Sequence, residues 1–398
     1  MDTSKIREVL NRHVDSGKIP GVVALISRGE ETYVEAAGTM RHDGGAPMAR
    51  DTIFRLASTS KPIGVAATMA LVEDCRLRLD DPVDEWLPEL ADRQVLKRPD
   101  GPLDETVPAR RQITIRDLLT STFGLGLDVN AFGLPIQAAI LEQNLMGYAT
   151  PPPAPDEWMR RLGTLPLVHH PGEHWQYHLS LDVLGVLVSR VTGQSLDAYL
   201  RERIFGPLGM TDTGFHVPAD KIHRLPVAYA PDAQTGEFTV WDEAEGGRYS
   251  SLPEFQSGGG GLVSTVDDYH AYFRMLLNHG THGGERILSR PTVELMTTNR
   301  MTASEQARMY ELADDKANVS LGLGKQGGWG IGMAVRTYRA DYNPIGQFGW
   351  DGGTGTSAYA DPANDVVGFL FTQTGMSTPD AAHLIHDFWT TVYQQLAD

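Results

Sequence analysis

Phe54-Arg55-Leu56-Ala57-Ser58-Thr59-Ser60-Lys61-Pro62-Ile63-Gly64 stands between two strand-like runs and an apolar helical stretch, Val65 to Val72. Ser58 therefore falls where a strand passes into a helix, with Lys61 three residues on. Positions i and i+3 share one face of a helix, so hydroxyl and amine would be neighbours at a helix N-terminus, where backbone N–H groups point outward unpaired. That is a place to make a nucleophile and to hold a developing oxyanion. The same spacing also suits a serine cap with a solvated lysine behind it, because S-x-x-K is a short pattern. The rest of the chain has to decide between them.

Upstream, Ile6, Val9, Leu10, His13 and Val14 keep helical spacing, which predicts a helix over 4–16 stopped by Gly17. Val22 to Ser27 and Thr32 to Ala37 read as a hairpin turned at Arg28-Gly29-Glu30, followed by a Gly-rich loop at 38–50. Downstream, Ile113 to Leu119 reads as a short helix capped by Thr114. Residues 125–157 hold a helix near Pro135 to Met146 and a proline run at 151–155, which suits either a stiff loop over a cleft or an ordinary connector. An apolar stretch at Val183 to Val191 predicts a helix, and Ser195 opens another that breaks at Gly206-Pro207-Leu208-Gly209-Met210. The segment 216–256 is polar and reads as loop. Gly258-Gly259-Gly260-Gly261 needs close backbone approach, and Thr265 then caps a helix over Val266 to Asn278. Three strands follow, at Gly330 to Val335, Gln347 to Ala360 and Val366 to Gln373, and a last helix at 379–396.

The fold class expected is α+β. One antiparallel sheet would be built from both chain ends, about 1–57 and 258–398, with a mainly helical lobe at about 58–257 inserted in a single domain. The opening stretch would lie at the border of sheet and lobe, where clefts form.

A net charge of −17, from 51 acidic and 34 basic residues in 398, argues against nucleic-acid partners and anionic membranes. A single cysteine, Cys75, excludes an intramolecular disulfide and reads as structural. Met1 to Lys5 lack an apolar signal core and no window reaches transmembrane length, so a cytoplasmic protein is expected. Gly322 to Gly327 matches G-x-G-x-x-G but precedes strand-like residues, which argues against a dinucleotide site. His170, His174 and His178 recur every four residues, yet Pro171-Gly172 breaks any helix through them, so neither metal nor organic cofactor is expected.

Phe54 to Lys61, together with Ile113 to Leu125, Ile204 to Thr213 and Gly258 to Asp268, resembles the class C β-lactamases and the related family VIII carboxylesterases, over about residues 5–375. The resemblance implies a penicillin-binding-protein-like fold with Ser58 acylated, Lys61 helping to deprotonate it, and Tyr177 of Trp175-Gln176-Tyr177-His178-Leu179 shuttling protons, as phenolate beside the ammonium. It implies an oxyanion hole of the Ser58 and Gly353 N–H groups, and a pocket edged by Trp350-Asp351-Gly352, Leu179 and Phe123. Two positions depart from the β-lactamase pattern. Leu179 replaces an amide-binding asparagine, and Trp350 replaces a lysine that meets the substrate carboxylate. Losing that cation forfeits a charge-assisted contact of about 1.5–3 kcal/mol, and Asp351 beside it opposes an anion further. Lys325-Gln326-Gly327 is a weaker stand-in for the missing motif. The expectation is a carboxylesterase for neutral, short- to medium-chain esters as small-molecule substrates. The alternatives are acyl transfer at the same site, β-lactamase or D-amino-peptidase activity, and a non-catalytic binding protein; oligomeric state is not read.

Overall fold

Strand β1 (Gly21–Arg28) is buried over its first seven residues because both of its faces are covered. Alternate residues point to opposite sides of a strand. Val22, Ala24 and Ile26 accordingly join one apolar cluster, whereas Val23 and Leu25 join another. The computed structural model describes residues 3–127, 133–147, 150–307 and 327–396.

β1 pairs on one side with β2 (Glu31–Arg41), and β2 with β3 (Gly44–Pro47). On its other side it meets β9 (Val366–Thr372), from the far end of the chain, with Val23 opposite Phe371. Beyond β9 lie β8 (Thr356–Asp361), β7 (Phe348–Gly352) and β6 (Ala334–Val335), giving the order β6-β7-β8-β9-β1-β2-β3. Each pairing in this seven-stranded sheet is antiparallel. The expected sheet from both chain ends is therefore present.

Helices α1 (Ser4–Asp15) and α6 (Pro379–Gln394) cover one face through Ile6, Leu10, Phe388 and Val392. On the other face, Val367, Phe369 and Phe371 enter a large core shared with α2 (Lys61–Glu73), α4 (Leu179–Thr192) and α5 (Val266–Leu277). α3 (Ile115–Leu119) begins at the expected cap: Thr114 accepts from the Asp117 N–H while the Asp117 carboxylate accepts from the Thr114 N–H.

Several elements differ from expectation. The 38–50 loop contains the end of β2 and all of β3, and 216–256 contains a two-stranded ribbon, Ala228–Pro231 with Phe238–Asp242. Short strands like these are held by their cross-strand partners rather than by their own propensity. The helix expected to break at Gly206 continues through Leu208 and stops at Gly209, where φ is 68°. Phe348–Gly352 and Thr356–Asp361 form a hairpin rather than one strand, and β6 covers only Ala334–Val335 of its expected span. Cys75 is exposed rather than packed. Residues 322–326, with most of the G-x-G-x-x-G match and both polar residues of Lys325-Gln326-Gly327, lie outside the described residues. No helix among the described residues is long and apolar enough to cross a membrane.

The glycine run Gly258 to Gly261 lies flush against α2 and α4. A Cβ at Gly64 of α2 would meet the Gly258 carbonyl oxygen at 2.2 Å, and one at Gly258 would meet the Leu181 carbonyl oxygen at 2.5 Å. Both obstacles are backbone, which has little room to yield. Gly64→Ala should therefore destabilise the fold by about 1–3 kcal/mol, read as a lower urea midpoint, and lower activity with it. An unchanged midpoint would show that the two segments are not in this contact.

Candidate active site

Ser58 sits in a 3-10 turn, Ala57–Ser60, that leads from β4 (Phe54–Arg55) into α2. Ala57 has a φ of 46°, in the left-handed region that costs an ordinary residue about 1–2 kcal/mol. The surroundings offset this strain with an unusual density of hydrogen bonds. Leu56 carbonyl accepts from the Thr59 hydroxyl at 2.7 Å and the Thr356 hydroxyl at 2.9 Å. The Leu56 N–H donates to the Leu262 carbonyl at 2.9 Å, through β5 (Val263–Ser264) pairing with β4. The phenols of Tyr269 and Tyr272, both on α5, donate to the Thr59 and Pro62 carbonyls. Ser58 itself remains partly exposed in the middle of this clamp.

Lys61 is fully buried and its Nζ donates to the Gly259 carbonyl at 2.7 Å. Its Nζ also lies 4.7 Å from the centroid of the Tyr177 ring. Burial disfavours the ammonium and lowers the lysine to about 7, against a smaller upward pull from Asp182. The neutral amine of Lys61 is thus favoured by burial more than it would be in a solvated lysine.

Tyr177 is fixed by a backbone bridge to Leu127 on one side and by the start of α4 on the other. Its hydroxyl accepts from the Trp350 indole N–H at 2.8 Å, and Ser58 lies near enough to act on it. Burial, the largest influence, pushes the phenol up to about 12, although Ser58 and Trp350 both act to lower it. Burial thus favours the phenol over the phenolate that the resemblance implies. Of the two groups, Lys61 is the one that burial brings closer to neutral pH.

Trp350 is on β7 and packs edge-on against Trp329, with ring centroids 4.6 Å apart. With Met301, Ala334, Trp175 and Tyr177 these residues form a separate, largely aromatic cluster. Asp351 accepts from the Tyr359 hydroxyl at 2.9 Å. Gly352 packs so closely that a Cβ there would meet the Leu56 carbonyl oxygen at 2.3 Å, while the Thr354 hydroxyl donates to the Arg55 carbonyl at 2.6 Å. The β7–β8 turn is in this way tied to the residues just before Ser58. Gly353, at the turn, is exposed. Ser58, Lys61, Tyr177 and Trp350 are therefore together, and the Gly352-Gly353 turn is fastened beside them.

Leu179 and Phe123 are not part of that group. Both are buried in the large core, apart from the aromatic cluster that holds Trp350 and Tyr177. His169 and His174 stack with ring centroids 4.0 Å apart, and His178 turns to Asp182 at 3.7 Å. Sequence reasoning missed Trp329 and the carboxylate of Asp182. The latter had a signal: an acid entering an apolar helical run five residues after Tyr177.

A family profile described as Beta-lactamase matches residues 6–387. Protein Rv1367c of Mycobacterium tuberculosis is 40% identical over 371 residues, covering 92% of this chain and 87% of that protein. Esterase EstB of Burkholderia gladioli is 35% identical over 283 residues, covering 67% of each chain. The solved structure of EstCE1, described as a hydrolase with promiscuous acyltransferase activity, superposes with a TM-score of 0.80 at 26% identity, covering 98% of both chains.

Proposed function

The chain belongs to the beta-lactamase family, and from that premise we propose a serine carboxylesterase acting through an acyl-enzyme on Ser58. The observation that carries this reading is the chain of contacts from Trp350 to Tyr177 to Ser58, with Lys61 buried against the Tyr177 ring. Ser58 Oγ attacks the ester carbonyl and its proton passes to the neutral Lys61 amine. The Ser58 and Gly353 N–H groups receive the oxyanion. Tyr177 gives its phenol proton to the departing alkoxide, the phenolate so formed takes a proton from the water that attacks the acyl-enzyme, and the Lys61 ammonium returns its proton to Ser58 Oγ as the acid leaves. Trp350 directs its one polar hydrogen at Tyr177 and has no cation to offer a substrate carboxylate. Neutral esters with short to medium acyl chains are the substrates that this site favours.

The test is p-nitrophenyl butyrate turnover, with quenched protein examined by mass spectrometry for an acyl group on the peptide bearing Ser58, run beside nitrocefin and a D-alanyl dipeptide. Nitrocefin turnover rivalling the ester would overturn the substrate class. Because Lys61 must be unprotonated to act, kcat/KM should rise with pH through a limb near 7. A profile flat from about pH 5 to about pH 8 would remove Lys61 from the base role. A second reading, transfer of the acyl group to an alcohol at the same site, draws on the likeness to EstCE1. It predicts that added alcohols divert the acyl product from acid to ester.

A further inference from the structure

Asp182 is an acid in an otherwise apolar part of α4, 4% exposed. Its Oδ1 accepts from the Ser257 hydroxyl at 2.5 Å and from the Gly259 N–H at 3.3 Å. The same Gly259 offers its carbonyl to Lys61 Nζ at 2.7 Å. One glycine therefore touches the acid with its N–H and the amine with its C=O. A Cβ on Gly259 would lie 3.4 Å from Asp182 Oδ1, so the acid is packed directly on this backbone. No ion pair within 4.0 Å joins Lys61 to Asp182 among the described residues; Gly259 lies between them. Oδ2 faces His178 Nδ1 at 3.7 Å, but burial and the Lys61 charge push that imidazole well below its usual value, leaving it neutral. A carboxylate taken out of water costs several kcal/mol unless charge or hydrogen bonds offset it. Burial pushes the Asp182 carboxyl above the usual carboxylate range, and the Ser257 hydroxyl, the Lys61 charge and the Gly259 N–H pull against it in favour of the anion.

We propose that Asp182, held by Ser257 and the Gly259 N–H, is a positioning residue that sets when Lys61 carries its proton, and so sets the pH range of the reaction. This rests on the reading of Ser58 and Lys61 as nucleophile and base. The groups around the pair come from four elements. α2 supplies Lys61, and α4 with its N-cap supplies Asp182 and His178. Tyr177 precedes α4, and the glycine run supplies Ser257 and the Gly259 backbone. Asp351 on β7 adds its charge at Tyr177. An anion at 182 favours the ammonium form of Lys61; removing it favours the amine. The acid limb of the rate profile then moves to lower pH, while loss of the Ser257 and Gly259 contacts lowers the plateau.

The experiment compares kcat/KM against pH, together with acylation of Ser58 by p-nitrophenyl butyrate, for wild type, Asp182→Asn and Ser257→Ala. The limb of Asp182→Asn should move acidward by about half a unit or more, a threefold or larger change in the ratio of amine to ammonium. Ser257→Ala keeps the carboxyl but withdraws a hydrogen bond that favours its anion, so its limb should move the same way by less. If Asp182→Asn does not fold, the direction of the Ser257→Ala shift decides. Limbs that stay in place, with activity lost equally at every pH, overturn the proposal and leave Asp182 a packing residue. Absence of a Ser58 adduct in the wild type overturns instead the catalytic reading beneath it, and this proposal with that reading.

Discussion

Ser58→Ala should lose p-nitrophenyl butyrate turnover by roughly ten-thousandfold or more, and lose labelling by a fluorophosphonate altogether. The size follows from the roles. Lys61 and Tyr177 act on a proton that belongs to Ser58, so without the hydroxyl neither has anything to move. What survives is any water attack supported by the oxyanion donors and by binding. The fold should not change. The turn around Ser58 is held by Thr59, Thr356, Tyr269, Tyr272 and the Leu56–Leu262 backbone bond, none of which uses the Ser58 side chain. The hydroxyl acts on Tyr177, and even a full hydrogen bond there would contribute only about 1 kcal/mol net. Wild type and variant should thus melt within a few degrees of each other. Equal turnover by the two proteins would end the acyl-enzyme reading.

The parts legible in the sequence were those governed by local pattern. The runs Val22 to Ser27 and Val366 to Gln373 are apolar at successive positions because both faces of β1 and β9 are covered. The Thr114–Asp117 cap is spelled out by its own spacing. Ser58 and Lys61 were visible as a pair, but only the surrounding motifs lifted them above a helix cap. What stayed hidden depends on contacts across the chain. Trp350 reaches Tyr177 over 173 positions, and its role is a hydrogen bond rather than only the aromatic surface expected. The four-glycine run announced a close approach, yet nothing in it told that Gly259 would meet both Lys61 and Asp182. Leu179, at the start of α4, and Phe123 each neighbour a motif in sequence, and both lie in the large core.

The clamp around Ser58 and the strain at Ala57 are two sides of one arrangement. A backbone in a left-handed conformation relaxes unless its neighbours over-determine it. Here β4–β5 pairing, the phenols from α5 and the threonines of the β7–β8 turn converge on residues 55–62. The same threonines hold the Gly352-Gly353 turn, so Ser58 and Gly353 are set relative to each other by the bonds that maintain the strain. Rigid elements on three sides hold Ser58, and under the proposed mechanism that rigidity keeps nucleophile, base and acid in register.

Lys61→Met should lower kcat/KM by roughly a hundred- to ten-thousandfold, the usual range for losing a general base, and it should do so without additivity. In a Ser58→Ala background the second change should cost almost nothing, because the base has no proton left to accept. Its second signature is in stability. The folded-state value for Lys61, about 7, lies below the 10.5 of a free lysine. Between those values the unfolded chain holds a proton that the folded protein does not, so wild-type stability rises as pH climbs through the window. Below 7 both states are protonated and the contribution is constant. Each pH unit within the window is worth up to about 1.4 kcal/mol, hence about 4 kcal/mol between pH 7 and about pH 10. Methionine fills a similar volume and has no proton to bind. The stability of Lys61→Met relative to wild type should therefore fall as pH rises, measured by urea unfolding at the two pH values. Parallel dependence in the two proteins would mean that Lys61 is charged in the folded state. An ammonium cannot take the proton from Ser58, so that result would dismantle the mechanism at its first step.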